Sequence, residues 1–175
     1  MAKRKKIAPQ LFGTKQVSEI LQIPEWRVKN FSEGGAYGLP PTQTVGSGRG
    51  SRRLYNDIDV CRLAIANELV ACGFTPDAVG RAVREIPESM LDGLVWPDDN
   101  EFDEPDMAEE YSVMLIYMRG KWRVRRPVEV SDVPLHKHFG WDGESTGIFL
   151  LNVGSLLFKV VSKINAFRRQ AEKQQ

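Results

Sequence analysis

The chain has 175 residues, 42% hydrophobic and 27% charged, ordinary proportions for a globular protein with room for one medium domain or two small ones. No run of about 18 apolar residues occurs, which excludes a transmembrane helix, and the basic start Lys3, Arg4, Lys5, Lys6 lacks the apolar stretch a signal peptide needs. The net charge of +1 conceals a segregated pattern: residues 1–62 sum to +6, 63–87 to −1, 88–110 to −10 and 111–175 to +6.

A cytoplasmic protein is therefore expected. Its basic N-terminal part favours a polyanionic partner, because each phosphate it neutralises releases counterions. The block 88–110, with ten acids and no Lys or Arg, reads as a solvated linker or as an intramolecular neighbour of one basic part.

Residues 1–10 read as a disordered basic arm. Thr14 is expected to cap a first helix, since its hydroxyl can accept a free backbone N–H of the first turn. Val17, Ile20 and Leu21 fall on one apolar face, and the helix should stop near Gln22. Pro24 marks the opening of a second helix. There Val28 and Phe31 point inward, Trp26 lies at the edge, and Arg27, Lys29 and Asn30 face out. Two short helices joined by so short a turn have the form of a helix-turn-helix.

Gly34, Gly35, Gly38, Pro40 and Pro41 make a loop. Residues 42–45 read as a short strand, 46–51 as a hairpin tip and 52–55 as the returning strand. Glycine allows the tight turn. Arg49, Arg52 and Arg53 beside it make little sense in a core and suit phosphate or minor-groove contacts.

Asn56 caps a third helix, with Asp59 supporting its N-terminus electrostatically. Val60, Leu63, Ala64, Ile65, Leu69 and Val70 make that helix largely buried. Gly73 ends it, and Phe74 folds back as the apolar contact after the cap. Thr75 and Pro76 start a fourth helix, whose apolar positions are Ala78, Val79, Ala82, Val83 and Ile86, and Pro87 stops it. Cys61 and Cys72 are about 16 Å apart along a helix axis, beyond disulfide reach and without zinc-site spacing. Both read as small core residues.

In the acidic block, Met90, Leu91, Leu94, Val95 and Trp96 are apolar enough for part of it to pack on a neighbour. Residues 113–117 and 122–126 then read as strands about the turn Arg119-Gly120-Lys121. Trp122 and Val124 share one face, Arg123 and Arg125 the other. Residues 148–153 read as a further strand and 155–167 as an apolar helix. The run Arg119, Lys121, Arg123, Arg125, Arg126 is a solvated sheet face, a partner for the acidic block, or a second nucleic-acid surface. His136 and His138 lack a third ligand. Asp98, Asp99, Glu101, Asp103, Glu104 and Asp106 lack calcium-loop spacing. No nucleophile elbow, phosphate loop or zinc-protease motif is present, so no metal, cofactor or enzymatic activity is expected.

Together, TKQVSEILQIPEWRVKNF, GSRRLY, YNDIDVCRLAIANELVACGF and TPDAVGRAVREI resemble, in order and spacing, the MerR-type winged helix-turn-helix of bacterial transcription regulators. The resemblance covers roughly residues 12–86. It implies that the second helix reads DNA, with Lys29 at the family's basic position followed by Asn30 and Phe31, and with Arg27 close by. It places the wing's basic residue on Arg53 and the aromatic anchor of the wing on Tyr55, with Arg49 and Arg52 as neighbours. Thr14 and Lys15 open the first helix, where backbone N–H groups meet a phosphate. Three departures stand out. Asn30 occupies a usually aromatic position, the stretch 34–41 is long and glycine-rich, and the acidic block stands where the family's dimer helix usually lies.

The expected fold class is α+β: a winged helix-turn-helix of four helices and a two-stranded wing over 12–87, an acidic linker over 88–110, and a small α+β dimerisation or effector unit over 111–170. The expected function is a sequence-specific DNA-binding transcriptional regulator. Double-stranded DNA is its partner, a homodimer on a two-fold site its form, RNA polymerase a candidate further partner, and a membrane no partner at all. The apolar helix over 155–167 is the expected dimer-forming or ligand-sensing part. Two alternatives stay open: an excisionase-like or architectural factor of a phage or mobile element, and a protein-binding adaptor that uses the winged module as a scaffold.

Overall fold

The computed structural model describes residues 11–33, 37–47, 50–88, 91, 114–118, 121–125 and 149–173. They form a mixed α+β structure with two antiparallel three-stranded sheets. The elements in chain order are β1 (Phe12–Gly13), α1 (Thr14–Leu21), α2 (Glu25–Ser32), β2 (Gln43–Val45), β3 (Arg52–Tyr55), α3 (Asp57–Ala71) and α4 (Pro76–Glu85). After the acidic block come β4 (Met114–Met118), β5 (Lys121–Arg125), β6 (Phe149–Asn152) and α5 (Val153–Glu172).

The first sheet has the order β1-β3-β2, with Phe12 opposite Tyr55, and Thr44 opposite Arg53. The hairpin thus has a third strand where two were expected. Phe12 and Tyr55 are both fully buried, and that shared burial draws the short β1 onto the free edge of β3. The pairing also corrects the expected cap of α1. Gly13 is held extended and becomes the N-cap, so Thr14 is the first helical residue. The side chain of Gln16 reaches back to accept the Gly13 N–H at 2.8 Å.

Helix α1 ends where expected. Gln22 takes the left-handed conformation (φ 57°), and the Ile23 N–H returns to the Ser18 carbonyl at 3.1 Å. Pro24 is the extended N-cap of α2. Ile23, Val28 and Phe31 are buried, which fixes the two short helices against each other.

Helix α3 is the centre of the molecule, packing on α1, α2, α4 and α5. Asn56 accepts the Asp59 N–H at 2.8 Å, and the Asp59 carboxylate accepts the Asn56 N–H at 3.3 Å, a reciprocal capping box. Asp59 therefore supports the helix by direct bonds as well as by its charge. It also accepts the Thr42 N–H at 2.7 Å and the Thr42 hydroxyl, which anchors the start of the hairpin. Gly73 has φ +86°, the left-handed position that ends α3, and Phe74 N–H bonds back to the Leu69 carbonyl at 3.1 Å. Cys61 is buried, as expected of a core residue, but Cys72 is exposed, because it sits at the helix C-cap.

The second sheet has the order β5-β4-β6. Phe74 meets it through ring contacts with Tyr117, Trp122 and Phe149 at centroid distances of 4.8–5.1 Å. Trp122 is buried and Val124 half-buried, while Arg123 on the other face is exposed, as strand alternation requires. Helix α5 starts earlier than expected, because Asn152 caps it by accepting the Ser155 N–H at 3.0 Å, and it runs on to Glu172. Its apolar face lies on α1 and α3 of the same chain.

One core runs through both halves, joining Phe12, Phe31, Leu63 and Leu69 to Leu115, Leu157 and Ile164. Each such side chain contributes about 1.5–3 kcal/mol by leaving water. Leu91, from the start of the acidic block, is buried in the same core.

Candidate nucleic-acid interface

Two contacts hold the hairpin to the last turn of α2. The hydroxyls of Ser32 and Tyr55 lie 2.8 Å apart and are buried. Ser32 directs its own hydrogen to the Val28 carbonyl, also at 2.8 Å, so Tyr55 donates and Ser32 accepts. The second contact is an ion pair, Arg53 Nη2 to Glu33 Oε1 at 2.8 Å. Arg53 and Tyr55 alternate on β3 and so face the same side. Ser32 and Glu33 are adjacent at the end of α2. Strand alternation and helix end thus match in register.

Lys29 and Asn30 are exposed on the outer side of α2, opposite the buried Val28 and Phe31. The Lys29 carbonyl accepts the Glu33 N–H at 2.8 Å, so Lys29 is one helical turn from the carboxylate that holds Arg53. Arg27, expected to face outward, is half-buried. It donates to Asn67 Oδ1 at 3.1 Å, and its guanidinium lies 5.3 Å from the Trp26 ring centroid. Trp26 is 56% exposed.

Arg52 faces the opposite way from Arg53 and is exposed. A methyl group on Gly13 would lie 3.9 Å from its Nη2, which puts Arg52 over the start of α1. Thr14 is half-buried there and Lys15 exposed. Arg49 lies outside the described residues, as do His136, His138 and the carboxylates from Asp98 to Asp106. The described candidates fall into two groups, Arg52 with Thr14 and Lys15 at the start of α1, and Arg53 with Lys29 and Asn30 at the end of α2. Sheet β1-β3-β2 joins the two.

Sequence reading missed Glu33 and Ser32. Neither carries a local signal, because their partners come from β3, across the hairpin loop. Two titratable groups in the first turns of α3 are perturbed. Burial raises the Asp57 carboxyl above its ordinary value of 3.8, opposed by the charge and hydrogen bonds of Arg168 at 2.7 and 2.9 Å. Burial, with a smaller push from the Asp57 charge, takes the Cys61 thiol up to about 12, which leaves it chemically quiet.

Among the described residues, no group of three or more His, Cys, Asp or Glu is placed to hold a metal ion, and no helix is long and apolar enough to cross a membrane. In comparison with known proteins, no family model and no curated protein matches this chain.

Proposed function

We propose that α1 to α4 and the β2–β3 hairpin form a winged helix-turn-helix that binds duplex DNA, and that the protein is a sequence-specific transcriptional regulator of MerR-like type. The observation that carries this reading is the double tie between α2 and β3, Ser32 to Tyr55 and Glu33 to Arg53. It sets a helix with outward Lys29 and Asn30 beside an arginine-bearing hairpin, the pairing a groove and its flanking phosphates require. Lys29 and Asn30 read base edges or the groove phosphates. Arg52, Arg53 and Lys15 grip the backbone, with Arg49 at the hairpin tip. Tyr55 acts from within, by fixing the hairpin.

The Glu33 carboxylate opposes this role only weakly. An ion pair with one partner 53% exposed is worth about 0–1 kcal/mol, so a phosphate can take its place on Arg53. One such module offers few contacts, and a homodimer on a two-fold site completes the reading.

Binding of Lys29→Ala and Arg53→Ala to genomic fragments at two salt concentrations tests it. Each variant should bind more weakly and lower the salt slope by about one. Unchanged affinity and slope in both variants would overturn the proposal.

A further inference from the structure

Helix α5 leaves one long edge uncovered. Val153, Leu157, Val160, Val161 and Ile164 are buried on its inner side. Arg168 turns inward to both oxygens of Asp57, which fixes the rotation of the helix. The outer edge carries Lys159, Lys163 and Lys173, all exposed, at spacings that keep them on one face. Residues 153–171 contain no Asp or Glu. Among the described residues, none of these three lysines has a carboxylate at ion-pair distance, whereas Arg53, Arg62, Arg81 and Arg168 all do.

This edge adjoins the helix pair. Lys163 Nζ lies 3.5 Å from Gln22 Oε1, and Gln22 is the left-handed residue of the turn into α2. At the other end of α1, the Phe167 ring meets the Phe12 ring at 6.2 Å, and the Arg168 guanidinium lies 5.5 Å from it. Helix α5 therefore runs antiparallel along α1, with Lys163 at the α1–α2 turn, Lys159 one helical turn before it and Lys173 beyond the start of α1.

We propose that Lys159, Lys163 and Lys173 form a phosphate-binding edge that extends the duplex contact beyond the helix pair and hairpin. This rests on the reading of α2 and β3 given above. Lysine suits such an edge. Its ammonium is a point charge on a flexible stem, fit for backbone phosphates rather than for planar base edges. From Lys159 to Lys173 the helix rises about 21 Å, against one duplex phosphate charge per about 1.7 Å of axis, so three contacts along one stretch of backbone are within reach. The C-terminal half then acts in DNA binding itself.

The test is binding of the full chain to a mixed-sequence duplex of about 30 base pairs across a salt series, with backbone footprinting. Lys159→Gln/Lys163→Gln should lower the salt slope by about two and shorten the protected stretch on one side. Lys159→Arg/Lys163→Arg should retain both. Lys159 and Lys163 are both exposed, and circular dichroism checks that each variant folds. An unchanged slope and footprint in the Gln pair, with Lys29→Ala still weakening binding, overturns the edge alone. A rise in affinity in the Gln pair means that the lysines hold the acidic block 88–110 instead, and it overturns the edge as well. No salt-dependent binding by the wild-type chain overturns both this edge and the reading beneath it.

Discussion

The Arg53 guanidinium is paired with Glu33, so this cation of the hairpin is already neutralised by a residue at the end of α2. The same carboxylate thus orients Arg53 and competes with a phosphate for it. Replacing Glu33 by Gln keeps the shape and removes the competing charge. Glu33→Gln should raise duplex affinity about three- to tenfold at low salt, with the gain shrinking as salt screens the surface. Folding stability should fall by less than about 1 kcal/mol. Fluorescence anisotropy at two salt concentrations checks the first, and a urea melt the second.

Tyr55 donates to Ser32 in a buried setting and so ties β3 to the end of α2. Tyr55→Phe deletes one hydroxyl and leaves Ser32 its bond to the Val28 carbonyl. The loss should be about 1 kcal/mol. A double-mutant cycle with Ser32→Ala should return most of that as coupling energy, because the two hydroxyls act only through each other across the elements.

Asp59 accepts from Asn56 N–H, Thr42 N–H and the Thr42 hydroxyl together. Asp59→Ala removes half of the capping box and the hairpin's anchor at once. A destabilisation of about 1–2 kcal/mol is expected. Amide hydrogen exchange at Thr42 and Asn56 should accelerate more than exchange in the middle of α3.

Arg168 partners a buried carboxylate whose folded value lies above 3.8. Such a carboxyl holds its proton longer in the folded chain than in the unfolded one. It favours folding at low pH and loses that advantage as pH rises through 3.8 toward the folded value. Arg168→Met raises the folded value further by leaving the charge unpaired. The variant should be destabilised by about 2–3 kcal/mol at neutral pH, and by clearly less near about pH 4. Adding Asp57→Asn should recover most of the loss at neutral pH. Denaturant melts at the two pH values check the sign.

Cys72 is exposed and Cys61 buried, with its thiol held up to about 12. A thiol reagent at neutral pH should therefore modify one cysteine in the native chain and both in denaturant. Fast modification of two thiols in the native protein would show that α3 opens far more readily than its packing implies.

Much of the chain was legible because its signals are local. Pro24 and Pro76 opened helices, Asn56 capped one, and Gly73 with Phe74 ended one, each through contacts within a few residues. The outward Lys29 and Asn30 followed from the apolar spacing of Val28 and Phe31 in the same helix. Thr14 failed as a cap because β1 pairs with β3 from far along the chain, and that pairing moved the N-cap back to Gly13. The acid-free charge of residues 153–171 was visible in the sequence, but nothing local said that it would lie along α1.

The sequence by itself determined where most helices lie, the caps and turns of α2 to α4, and that Lys29 and Asn30 of α2 face water, because backbone hydrogen bonding and apolar periodicity act over a few residues. Tertiary structure alone decided that Glu33 holds Arg53, that Arg168 reaches Asp57, and that α5 brings Lys163 beside the α1–α2 turn. Those pairings depend on how distant elements close around one core, and side-chain charge carries no record of the partner it will meet.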